Sequence, residues 1–287
     1  MNYKNIVRVN GHGMNVFHTG SGADTLVFLA GAAVTAPVLE YKPLWSRLSE
    51  TFRIAVPEKL GYGFSDSDTG SPRDVETMVN QTREALLNAG IKPPYILVPH
   101  SYSGTEAVYW ANTYTSEIKA ILGLDMVTPG FALAQAEELP EDKKRAMVER
   151  NEKLYRKISS SRLLQKLLRK QTVEATGVLK SGALDDEEKK LYCELFYKNL
   201  CNGEISSEQL LATSNAETAE KTGKLKVPAH MFISDMKTPL KKTSWLAENT
   251  AFAKENGISY ETAKSHFYYA EAPDIIAGVW RNFIKAL

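Results

Sequence analysis

Tyr95-Ile96-Leu97-Val98-Pro99-His100-Ser101-Tyr102-Ser103-Gly104 is the stretch that decides how this chain reads. Tyr95 to Val98 is a short apolar run of the kind that forms a buried strand. It stops at a serine, and a helical pattern follows at once through Ala107, Val108, Trp110 and Ala111. A strand that turns directly into a helix across one hydroxyl, with small residues at Ser103 and Gly104, lifts that hydroxyl clear of the sheet. The first turn of the helix then points unpaired N–H groups at any negative charge that develops there.

Similar units lie on either side. Ile6 to His18 reads as a hairpin around Gly11-His12-Gly13, with His12 and His18 as surface or turn residues. Thr25 to Leu29 is a continuous apolar strand running into Ala30-Gly31-Ala32-Ala33. Glu40 to Leu48 reads as a helix, Phe52 to Val56 as a strand and Val75 to Leu87 as an amphipathic helix ended by Asn88-Ala89-Gly90. Ala120 to Leu124 is a further strand ending at Asp125. Strands alternating with helices predict a mostly parallel, doubly wound sheet covered on both faces. Ligands of such sheets sit at the carboxyl ends of the strands, and Ala32, Glu58, Ser101 and Asp125 all lie just past such ends.

From residue 131 to 224 the pattern changes to helices only, over Glu141–Ile158, Arg162–Lys170, Asp185–Leu200 and Ser206–Glu220. Lys143, Lys144, Arg145, Arg150, Lys153, Arg156 and Lys157 in the first of these read as a solvated face. The strand pattern returns at Ala229 to Ile233, followed by Ser234-Asp235, and again at Ser259 to Ala263. Then come Lys264-Ser265-His266-Phe267-Tyr268-Tyr269-Ala270-Glu271-Ala272-Pro273 and a last helix, with Pro273 at its first turn.

Composition narrows the class. The chain has 287 residues, 43% hydrophobic and 24% charged, with a net charge of +1. That balance gives no reason to expect nucleic acid or an anionic membrane as partner. Met1 to Asn10 lacks the apolar core of a signal peptide, and the longest apolar run, Leu26 to Leu39, is interrupted and shorter than the ~20 residues of a membrane span. Cys193 and Cys201 have neither metal-ligand nor redox-motif spacing. A cytoplasmic protein with no stable membrane insertion is expected, with no metal and no organic cofactor.

In sum the chain resembles the α/β-hydrolase superfamily, in its serine-nucleophile, capped, esterase-like form. The family's Gly-x-Ser-x-Gly turn reads Pro99-His100-Ser101-Tyr102-Ser103 here, and its Asp-x-x-Gly-x-Gly-x-Ser segment reads Glu58 to Ser65. The resemblance implies a core of residues 1–130 and 225–287 and a helical cap (lid) of residues 131–224. It implies Ser101 as nucleophile, His266 as base and, completing a triad, Asp235, with Asp125 as the alternative acid because some members carry the acid after the earlier strand. It implies an oxyanion hole from the backbone N–H groups of Ala32 and Tyr102. His100 reads as a packing residue. The function expected is hydrolysis of small or medium acyl esters through an acyl-enzyme. Peptidase, thioesterase, C–C hydrolase and acyltransferase chemistry are the alternatives, as is ligand binding with a vestigial triad. Dehalogenases and most epoxide hydrolases of the superfamily use an Asp nucleophile, so Ser101 argues against them.

Overall fold

The computed structural model describes every residue except Ala33. In chain order the elements are β1 (Ile6–Val9), β2 (His12–Thr19), β3 (Thr25–Leu29), α1 (Pro37–Glu40), α2 (Lys42–Leu48), β4 (Arg53–Pro57), α3 (Val75–Asn88), β5 (Tyr95–Pro99), α4 (Ser103–Thr113) and β6 (Ile118–Leu124). A helical insert follows, with α5 (Pro129–Glu138), α6 (Glu141–Ser159), α7 (Arg162–Leu167), α8 (Asp186–Asn199), α9 (Gly203–Leu210) and α10 (Ala212–Glu220). The chain ends with β7 (Ala229–Ser234), α11 (Trp245–Glu255), β8 (Ser259–Ala263), α12 (Tyr268–Glu271) and α13 (Pro273–Lys285).

Among the described residues the strands form one eight-stranded sheet in the order β1-β2-β4-β3-β5-β6-β7-β8. β2 runs antiparallel to both β1 and β4, and every other pairing is parallel. The fold is therefore the doubly wound α/β sheet that the alternating pattern predicts.

Side-chain alternation divides the core into two layers, one on each face of the sheet. Leu26, Phe28, Ile96, Val98, Leu122 and Phe232 pack on one face with Leu44 and Trp45 of α2 and Ile276 and Trp280 of α13. Val27, Leu29, Leu97, Ile121, Met231 and Ile233 pack on the other with Val79 of α3, Trp110 of α4 and Trp245 of α11. The central strands β3 and β5 are buried along their whole length, which is why they read as unbroken apolar runs.

The insert joins both layers. Phe131 of α5 and Ala216 of α10 belong to the second face, and Phe131 stacks edge-on against Trp245 at 4.7 Å. Tyr192 and Phe196 of α8 belong to the first. The helix expected over Ser206–Glu220 is two helices broken at Leu211, and the one expected from Glu40 is α1 and α2 broken at Tyr41. Pro43, within the first turn of α2, suits a new helix start there.

Candidate active site

The turn between β5 and α4 carries Ser101 at φ +54°, in the left-handed region that non-glycine residues rarely adopt. Backbone packing fixes it there. The Ser101 carbonyl accepts from Val127 N–H at 2.7 Å and from Gly104 N–H at 3.0 Å. Ser103 accepts the His100 N–H at 2.9 Å, and its hydroxyl lies within hydrogen-bonding reach of the Leu29 carbonyl at 2.8 Å and the His100 carbonyl at 2.9 Å. This is why a serine serves where the related motif has a glycine. Two glycines around the turn are steric requirements. A Cβ at Gly31 would stand 2.7 Å from Ser101 Cβ, and one at Gly104 would stand 2.2 Å from the Val127 carbonyl oxygen.

His266, between β8 and α12, shares a cavity of about 220 Å³ with Ser101, Ala32, Glu40 and His100. Its Nδ1 lies 2.7 Å from Asp125 Oδ2. A carboxylate oxygen only accepts, so Nδ1 carries the proton and Nε2 is left with its lone pair. Asp125 follows β6, is itself in the left-handed region at φ +42°, and is 3% exposed. Three further donors hold it: Ser234 N–H at 2.7 Å, Ser234 Oγ at 2.6 Å and Trp245 Nε1 at 2.7 Å. Trp245 also meets the His266 ring edge-on at 5.5 Å.

Asp235, the acid favoured from sequence, does not meet His266. Its side chain is 56% exposed and pairs with Lys237 at 2.6 Å. The physical reason is strand geometry. β6 and β7 are parallel neighbours, so both aspartates follow adjacent strand ends. Ser234, the last residue of β7, turns inward to donate to Asp125, and Asp235 beyond it turns out to solvent. The geometry corrects the expectation in favour of Asp125.

His100 is fully buried beside the nucleophile turn. Its Nε2 lies 3.1 Å from the His266 carbonyl, and its Nδ1 lies 3.4 Å from the Tyr41 hydroxyl. The two histidine rings are 4.6 Å apart between centroids. Burial first, and then the neighbouring His266, push the His100 pKa well below its ordinary value. A neutral ring that donates from Nε2 and accepts at Nδ1 satisfies both bonds. His100 thus pins the His266 loop to the turn that carries Ser101.

The two backbone groups expected for an oxyanion hole belong to Ala32 and Tyr102. Ala32 lines the cavity, and Tyr102 immediately precedes α4, so its N–H belongs to the first turn of that helix. Ala33 lies outside the described residues. Glu58, expected as scaffold, accepts from Phe64 N–H at 2.7 Å, Asn15 Nδ2 at 3.0 Å and Val38 N–H at 3.3 Å, away from the cavity. His12 sits beside Asp68 at 3.2 Å near the surface, and His18 is exposed.

Glu40 is a cavity-lining residue that the sequence left unmarked. It reads as an ordinary helix residue, yet it is 2% exposed and lines the same cavity as Ser101 and His266. The only signal was its place just after the small-residue loop.

The comparisons with known proteins agree with the fold. No family model matches the chain. The uncharacterized protein YbdG of Bacillus subtilis (strain 168) is 34% identical over 98% of this chain and 85% of its own length. A Bacillus megaterium epoxide hydrolase, solved with an inhibitor, superposes with a TM-score of 0.72 at 17% identity, covering 98% of this chain and 100% of its own. A Nostoc sp PCC 7120 protein described as a candidate alpha/beta hydrolase superposes with a TM-score of 0.71 at 17% identity, over 98% and 97% of the two chains.

The chain has the α/β-hydrolase fold. It belongs to the same family as YbdG. On this fold it presents Ser101 at the strand-to-helix turn and places Asp125, which His266 meets, after β6. Among the described residues no helix is long and apolar enough to cross a membrane.

Proposed function

We propose that this chain is a serine hydrolase that cleaves small acyl esters, with Ser101 as nucleophile, His266 as base and Asp125 as the acid that orients it. The reading is carried by one observation. A strained serine and a histidine bonded through Nδ1 to a buried aspartate line the same cavity.

Serine is a weak nucleophile unless a base removes its proton during attack. His266 would take that proton at Nε2, and the Asp125 carboxylate would stabilise the imidazolium that forms. The N–H groups of Ala32 and Tyr102 would receive the oxyanion, an interaction worth about 10²–10³ in rate per donor. His266 would then protonate the leaving alcohol, and water would repeat the sequence on the acyl-enzyme. Every step uses groups of this chain.

The insert acts as the cap. Tyr155, Gln171, Thr176, Phe196 and Leu200 close the cavity from above the strand ends. A volume of about 220 Å³ falls below the ~300–1,000 Å³ of pockets for drug-sized ligands, which favours short acyl groups.

Intact-mass labelling with a fluorophosphonate tests the assignment. We expect one adduct on the native chain and none on Ser101→Ala. A folded native chain that takes no label, or a variant that labels equally, overturns it.

A further inference from the structure

Glu40 ends α1 and faces the cavity that holds Ser101. Two tyrosine hydroxyls donate to it: Tyr269 to Oε1 at 2.9 Å and Tyr192 to Oε2 at 3.2 Å. A carboxylate offers about four lone-pair sites, so these two bonds leave acceptor capacity over. Among the described residues no lysine or arginine lines this cavity. Lys42, the nearest cation in sequence, is turned to Glu188 and Tyr3 instead. Its remaining polar wall is neutral at Gln171, Thr172 and Thr176.

A buried anion without a counter-ion is unfavourable, because two hydroxyl bonds do not replace its lost hydration. Burial accordingly raises the Glu40 pKa from its ordinary 4.5 to about 7, against the lowering effect of Tyr269 and Tyr192. A fixed role of bridging two tyrosines would be served as well by a glutamine, which carries no such cost. A ligand that brings its own positive charge removes the penalty and uses the free lone pairs.

We propose that Glu40 is the recognition site for a protonated amine on the substrate, so that the esters cleaved are those of amino-bearing acids or alcohols. The substrate assignment rests on the Ser101 hydrolase reading, whereas amine binding at Glu40 does not. The placement suits the task. Glu40 follows Ala32 by eight residues, at the end of α1, and Tyr269 follows His266 by three. A bound ammonium would thus be held by the same segments that hold the reacting groups. The groups that face Glu40 are Tyr192 from α8 and Tyr269 from α12, with Tyr41 next to it and His100 and His266 sharing the cavity.

The experiment is calorimetric titration of Ser101→Ala with three probes of one size: n-butylammonium, n-butanol and butyrate. Measured at pH 8, the expected order is ammonium first, alcohol at least tenfold weaker and carboxylate weakest. In Ser101→Ala carrying Glu40→Gln, the ratio of ammonium to alcohol affinity is expected to fall at least tenfold. Butyrate binding as well as butylammonium, or a ratio unchanged by Glu40→Gln, overturns the proposal. The three-probe order needs no change at Glu40, so it decides the matter even where Glu40→Gln does not fold. Failure here with successful phosphonate labelling removes the amine site and keeps the hydrolase. Ammonium preference without labelling keeps the site and removes the hydrolase.

Discussion

Asp125 accepts from four donors, and that explains how an isolated buried acid stays fit for use. The bonds from Ser234 and Trp245 fix which oxygen meets His266. Asp125→Asn puts an amide where Nδ1–H needs an acceptor, so we expect ester turnover to fall by about 10³–10⁴, in line with loss of the correct tautomer. Asp235→Asn should change it less than about twofold, since Asp235 meets only Lys237 and solvent. Steady-state kinetics on both variants separates the two aspartates. Glu40 adds a pH dependence to amine binding. Its charged form is the binding form and its pKa stands at about 7, so ammonium affinity should rise about tenfold per pH unit below that value and level off above it. Titrations of the Ser101→Ala chain from pH 5.5 to 8.5 check the slope.

At the scale of the element, the signals that sequence carried were those of period and punctuation. β3 and β5 are buried on both faces, so their residues show as unbroken apolar runs. The turn at Ser101 showed because a strand, a hydroxyl and a helix follow one another without a linker. His266 showed through the aromatic and proline residues after it. What stayed hidden was pairing across distance. Ser234 and Trp245 select Asp125 over Asp235, yet nothing in a serine or a tryptophan announces that it will donate to an acid on the neighbouring strand. Glu40 and Tyr192 were hidden for the same reason, since they meet only when the insert closes over the core.

The insert is fastened by charge as well as by packing. Glu208 of α9 reaches the core, where it meets Lys59 at 2.5 Å, Arg73 at 3.2 Å and the Tyr62 hydroxyl at 2.9 Å. Lys59 also meets Glu106 of α4 at 2.8 Å, so two cations balance two anions out of water. Removing one partner from such a cluster typically costs about 3–5 kcal/mol, because it leaves an uncompensated buried charge. We expect that loss for Glu208→Ala in urea unfolding, and a far smaller one for Arg156→Ala, whose pair with Glu152 lies on the surface and is screened by solvent.

Over the whole molecule, protonation and folding are linked through a few buried groups. Glu58 is raised from 4.5 to about 7 by burial, against the lowering effect of its three donors. In the folded chain it therefore holds a proton that the unfolded chain has already lost between these values. The folded state binds more protons over that window, so this contribution to stability is full below pH 4.5 and is lost as pH rises to about 7. Glu40 acts in the same direction. His100 and His230 act oppositely, being depressed by burial, and their contribution is lost as pH falls below 6.5. Glu58→Gln isolates one term. Relative to the native chain, its unfolding free energy should gain about 3 kcal/mol between pH 4.5 and 8, whatever constant penalty its altered hydrogen bonds bring. Urea melts across that range give the slope.

The chain order of the site has a consequence for when the protein can act. Ser101 and Asp125 end neighbouring strands of one β-α-β unit, β5-α4-β6, and that unit is complete before the insert begins. His266 lies on the far side of the insert and of two further strands. A growing polypeptide therefore displays Ser101 and Asp125 long before the imidazole of His266 has been made. Until the final segment docks, the carboxylate has only Ser234 and Trp245 to hold, and the serine is an ordinary alcohol. If Ser101 acts as proposed, reactivity waits for His266, and a chain released before that residue would be silent rather than indiscriminate.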